Sequence, residues 1–161
     1  MSLEDLGNIG EFVAAVAVVI SLIYLAVQIR QNTATVRAST HQSIVREGRE
    51  LHSLVVPNDT VAHIVFAGLQ DWSDLSPEEQ FRLHLTTRSF FAFYEDTYLQ
   101  MRRNVLDPDT WRSRRTMLVE LLDQPGARRW WKRHCGEYPT AFQEEVQRVL
   151  SALPQSEPGG K

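Results

Sequence analysis

Three histidines, His41, His52 and His63, stand eleven residues apart, a spacing that returns to nearly one face of a helix. A stripe of imidazoles suggests metal ligation. Eleven residues are about 16 Å along a helix, however, whereas a metal reaches its ligands at roughly 2 Å. Pro57 also interrupts the helix before His63. The spacing is read as coincidence, and no metal or other cofactor is expected. Farther along, His84, Arg88 and Glu95 share similar azimuths, with Asp96 adjacent. A carboxylate among Phe91, Tyr94 and Tyr98 would hold its proton more tightly and could serve as a general acid or base. The plainer reading is an Arg88–Glu95 structural pair, or a bond from Glu95 to an arginine of another helix. His134 and Cys135 suggest a thiolate–imidazole couple, but consecutive helical residues point about 100° apart and form no ready pair. Nucleophile elbows, phosphate loops, dinucleotide fingerprints and inward Glu-x-x-His pairs do not occur.

Charge is the remaining chemical signal. Between Arg102 and His134 nine basic residues face four acidic ones, a local excess of +5 in a chain whose formal net charge is -3. Within it Arg128, Arg129, Trp130, Trp131, Lys132 and Arg133 mix cations with aromatics. Such a mixture suits an anionic lipid surface, where each basic residue contributes about 1 kcal/mol. Arg128, Arg129, Lys132 and Arg133 are therefore candidate headgroup contacts. RNA-binding surfaces use similar mixtures, but with an anchor nearby, lipid is the nearer anion and no nucleic-acid partner is expected. The alternative is a solvated basic face whose tryptophans turn into the core.

These residues must be positioned by helices. Phe12 to Val27, FVAAVAVVISLIYLAV, contains no charge, no proline and one polar residue, Ser21. The stretch between Asn8 and Arg30 is 21 residues. About 20 helical residues cross a hydrocarbon core of roughly 30 Å, so a transmembrane helix is expected. The acidic leading segment and the lack of a small-residue cleavage site argue against a removed signal peptide. Basic residues follow the apolar run (Arg30, Arg37, Arg46, Arg49) and none precede it. This predicts an outside N-terminus and a cytoplasmic C-terminal domain at the cell inner membrane. Gly10, Ala14, Ala17 and Ser21 make one side of the helix small. Such a side lets helices approach closely in lipid, as a second copy or a membrane-protein partner would.

The rest reads as all-α. The proposed organisation is an anchor at 1–30, a stalk helix at 31–56, a helical bundle at 57–153 and a disordered tail at 154–161. Asn58 or Asp59 caps a short helix over 60–69. Ser76-Pro77-Glu78-Glu79 is a capping box with proline at the first helical position. It opens a helix reaching about Arg103, with Phe81, Leu85, Phe90, Phe91, Tyr94, Tyr98, Leu99 and Met101 as its apolar positions. Asp107-Pro108-Asp109 starts another, with Trp111, Met117, Leu118, Leu121 and Leu122 facing the core. A short helix carries Trp130 and Trp131, and Pro139 opens the last, with Phe142, Val146, Val149 and Leu150. One cysteine, Cys135, rules out an intramolecular disulfide.

The chain resembles a group of uncharacterised bacterial single-pass membrane proteins. The resemblance rests on LEDLGNIGEFVAAVAVVISLIYLAVQIRQNT, on the LSPEEQ helix start, on LDPDTW and on PGARRWW. It implies an N-terminal anchor and a helical cytoplasmic domain, and it brings no catalytic residue. The leading expectation is a non-enzymatic, membrane-anchored interaction or scaffold protein that self-associates or serves as an accessory subunit of a membrane complex. One alternative is a membrane-tethered sensor that binds a small ligand among Phe90, Phe91, Tyr94, Trp111 and Trp130. The other is an enzyme of unrecognised type centred on Glu95.

Overall fold

A computed structural model describes residues 3–153 of the chain. The tail expected over 154–161 lies outside the described residues. Six α-helices and one 3-10 turn make up the described part, and no strand occurs among them: the class is all-α. The helices are α1 (Leu3–Val55), α2 (Asp59–Gln70), α3 (Pro77–Arg102), α4 (Pro108–Asp123), α5 (Pro125–His134) and α6 (Thr140–Ala152), with the 3-10 turn at Cys135–Glu137.

Local chemistry sets most of these boundaries. Asn58, in extended conformation, accepts a bond from the Val61 N–H and so caps α2. Ser76 and Glu79 make both halves of the capping box, at 3.3 and 2.8 Å, with Pro77 at the first position of α3. At the other end of α3, Asn104 takes φ 58°. Asparagine tolerates this left-handed conformation, and the N–H groups of Val105 and Leu106 then turn back onto the Gln100 carbonyl. Asp107 caps α4 through the Asp109 N–H, 2.7 Å away.

The chain forms two compact units, Met1–Ser39 and Thr40–Lys161, so the boundary falls inside the segment 31–56 read as stalk. In the first unit the described side chains from Gly10 to Ser39 are all exposed. The second unit is a helical bundle that includes the C-terminal turns of α1. Ile44 is fully buried, and Gly48 lies against the Phe93 ring.

The bundle core is largely aromatic. Phe91 stacks on Trp130 and Trp131 with ring centroids 5.1 and 5.0 Å apart. Tyr98 meets Trp111 at 5.0 Å, and Phe142 of α6 meets Trp131 at 5.7 Å. Leu118, Leu122, Val146 and Val149 fill the remainder. Aromatic pairs at these separations add to the stability that burial alone supplies.

The apolar positions of α3 do not all turn inward: Phe81 and Leu85 are exposed by 62% and 47%, whereas Leu83 and Phe93 are buried. α3 is packed by α2, α4, α5 and α6 along different parts of its length, so its buried side does not follow a single stripe. Where α2 crosses α5 the backbones nearly touch. A Cβ on Gly126 would stand 2.0 Å from the Gly68 carbonyl oxygen. Glycine here permits a close approach that any side chain would prevent.

Candidate functional site

Two regions carry features that the packing of a bundle does not require. The first is the apolar run of α1. Phe12 to Ile29 is 18 residues without a charge, bounded by Glu11 and Arg30. At 1.5 Å per residue it is about 27 Å long, close to the thickness of a hydrocarbon core. Its large side chains are exposed on every azimuth, Phe12 by 71% and Ile20 by 61%. α1 is the one helix among the described residues that is long and apolar enough to cross a membrane. A helix that is hydrophobic all round needs either a protein interior or lipid around it, and the described side chains of this run are exposed throughout.

The small residues Gly10, Ala14 and Ala17 are exposed along this helix, and a Cβ at Gly10 would meet nothing. The Ser21 hydroxyl donates to the Ala17 carbonyl at 2.8 Å, so it is satisfied within its own helix. Arg30, Arg37, Arg46 and Arg49 are exposed after the run.

The second region joins α3, α5 and the 3-10 turn. Trp130 is buried, and its indole N–H donates to His84 Nδ1 at 3.1 Å. The His84 ring lies 4.8 Å from that of His134, which stacks on Trp130 at 4.5 Å. His134 Nδ1 is 2.9 Å from Glu137 Oε1, and Glu137 Oε2 is 3.4 Å from Arg88. Burial pushes the His84 imidazole below its ordinary value, and the neighbouring His134 and Arg88 act in the same direction. The bond from His134, with Arg88 nearby, holds the Glu137 carboxyl low. Tyr138, whose hydroxyl is buried without a partner, is pushed up to about 12 by burial.

The expected Arg88–Glu95 pair is therefore replaced by Arg88–Glu137. Residues seven apart on a helix stand about 10 Å apart along its axis, so their side chains need help to meet. Glu137 comes in from another element and lies closer. Glu95 is half-buried, and burial, with Asp96 beside it, raises its carboxyl. Among the described residues no hydrogen bond or ion pair reaches it.

The basic segment divides. Trp130 and Trp131 turn into the core. The Arg128 guanidinium donates to the Asp123 carbonyl at 3.0 Å. Arg129 pairs with Asp71 at 3.0 Å, where the Ser73 N–H and Arg129 together lower the Asp71 carboxyl. Lys132 and Arg133 are exposed, and the Arg133 guanidinium lies 5.3 Å above the Trp72 ring. Of the residues named for a ligand site, Phe91, Tyr94 and Trp111 pack on one another or on neighbouring rings, Phe90 lies half-buried against the same core, and Trp130, stacked on Phe91, also borders a small cleft beside His84. His41 approaches Thr110 at 3.5 Å, and no group of metal-ligating side chains occurs among the described residues.

One charged cluster is only half visible in the sequence: Glu145 and Arg148 stand three apart on α6, but nothing local points to Arg115. Glu145 of α6 is 2% exposed and is held by Arg115 of α4 at 2.7 Å and by Arg148. Arg148 also donates to the Tyr98 hydroxyl at 3.3 Å. Because both arginines reach solvent while the carboxylate does not, this is a clamp between α4 and α6 rather than a reactive acid.

No family model, curated protein or solved structure matches the chain.

Proposed function

We propose that the chain is a membrane-anchored interaction protein, which holds a helical domain at the cytoplasmic face of the cell inner membrane and self-associates or joins a membrane complex. The observation that carries this reading is the uncovered, uncharged run from Phe12 to Ile29. In water its exposed apolar surface would be costly, at about 25 cal/mol per Å², and such a patch marks a lipid or protein contact. The exposed arginines that follow the run favour retention of that side in the cytoplasm.

The small side formed by Gly10, Ala14 and Ala17 supports close helix–helix packing. With the Ser21 proton already donated within its own helix, that packing would rest largely on van der Waals contact.

Membrane fractionation with an alkaline carbonate wash tests the anchor. The full chain should stay with the membrane, and Val19→Arg should release a substantial share. Recovery of wild-type protein in the supernatant without detergent would refute the anchor. For self-association, cross-linking in membranes should trap an oligomer that Ala14→Leu with Ala17→Leu weakens. A strict monomer that captures no membrane protein would remove that part of the proposal.

A further inference from the structure

A small cleft opens at the junction of α3 and α5, with a volume of about 240 Å³. Trp72, Phe81 and Leu83 give it apolar walls, and His84, His134 and Arg133 line the same space. No carboxylate is among its lining residues.

An indole N–H donates and cannot accept, so His84 Nδ1 is the acceptor of the Trp130 bond and is bare. The neutral ring must then carry its proton on Nε2. Glu137 Oε1, as a carboxylate oxygen, accepts from His134 Nδ1–H, which leaves His134 Nε2 uncommitted. Among the described residues neither Nε2 has a partner. Arg129 is taken by Asp71, but Arg133 pairs with no carboxylate among the described residues and rests over Trp72. The cleft thus gathers one fixed N–H donor, one imidazole nitrogen without a partner, and one uncommitted guanidinium beside an apolar wall.

From this geometry we infer that the cleft binds a small organic carboxylate with an apolar body. The carboxylate lies against Arg133 and His84 Nε2–H, and the body lies against Trp72, Phe81 and Leu83. A guanidinium is the side chain best suited to a carboxylate, and a neutral imidazole N–H adds a second donor beside it. The volume holds about eight waters and falls below the range of drug-sized pockets, so the ligand is a single ring or a short chain. This inference does not rest on the membrane anchor.

Benzoate is the probe. It is titrated into the full chain in detergent micelles, and the indole N–H resonances of the four tryptophans are followed by NMR. Saturable binding at about 1 mM or below is expected, with Trp72 and Trp130 shifting and Trp111 still. Arg133→Gln, an exposed change that should leave melting untouched, is expected to weaken binding at least about tenfold. Phe81→Ala should weaken it several-fold, and Arg129→Gln should not. Inorganic phosphate, which leaves the apolar wall uncovered, should bind far more weakly. The inference is overturned if benzoate does not saturate, if Arg133→Gln binds like wild type, or if phosphate competes on equal terms.

Discussion

The contact between α2 and α5 makes one substitution sharply informative. In Gly126→Ala the new Cβ would lie 2.0 Å from the Gly68 carbonyl oxygen and 2.8 Å from the Leu69 carbonyl carbon. Ordinary contact needs 3.4 Å or more, so the two helices must part by more than an ångström. Both obstructing groups are backbone, so no rotamer change relieves them. Overpacking of a close-packed interior costs about 1–3 kcal/mol, and a backbone obstruction belongs at the upper end. Alanine in a helix returns about 0.5–1 kcal/mol over glycine. The net loss should be about 2 kcal/mol, a fall in Tm of roughly 6–12 °C for a unit of this size. Thermal melts followed by circular dichroism, on the full chain in detergent, measure it. Gly48→Ala is the internal control. Its Cβ would meet Phe93 at an ordinary 3.5 Å, so only the helix gain remains and Tm should rise by a few degrees. Gly126→Ala melting at or above wild type would show that α2 and α5 cross with room for a side chain, against this expectation.

Other perturbations test the polar clusters. Glu145→Gln removes the charge that Arg115 and Arg148 share. It should cost about 2 kcal/mol in urea unfolding, less than for a fully enclosed pair because both arginines can rehydrate. A loss under a few tenths of a kcal/mol would show that the clamp contributes nothing. His84 binds protons less readily when folded than its ordinary value of 6.5 implies. The unfolded chain therefore takes up more protons there, and stability should decline as pH falls from about 7 toward 5. His84→Gln can still accept the Trp130 bond but cannot titrate, so it should flatten that decline. Equal pH slopes for the two proteins would count against the assignment.

Much of the architecture was legible because its signals are local. Ser76 through Glu79 is a self-contained capping device, and Asp107-Pro108 behaves likewise. The apolar run of α1 announces itself by length and lack of charge. Trp111, Leu118, Phe142 and Val146 were identified because α4 and α6 each bury one stripe. α3 is packed by several partners, so periodicity alone could not separate exposed Phe81 and Leu85 from buried Leu83 and Phe93. The polar contacts were the least visible. Arg88 finds Glu137, His84 finds Trp130, and Arg115 finds Glu145 across loops and whole helices. Such pairings depend on how helices cross, and no spacing rule within one helix reports them.

The late position of Phe142, Val146 and Val149 fixes an order of events during synthesis. The rings of Tyr98 and Trp131 meet Phe142 only when the last helix has been made. At a translation speed of about 5–20 residues per second, roughly 6–24 s separate the emergence of Ile29 from that of Val149. The greasy leading helix is thus handed to its surroundings while the aromatic interior of the second unit is still open. A nascent chain stalled before Thr140 carries both liabilities at once.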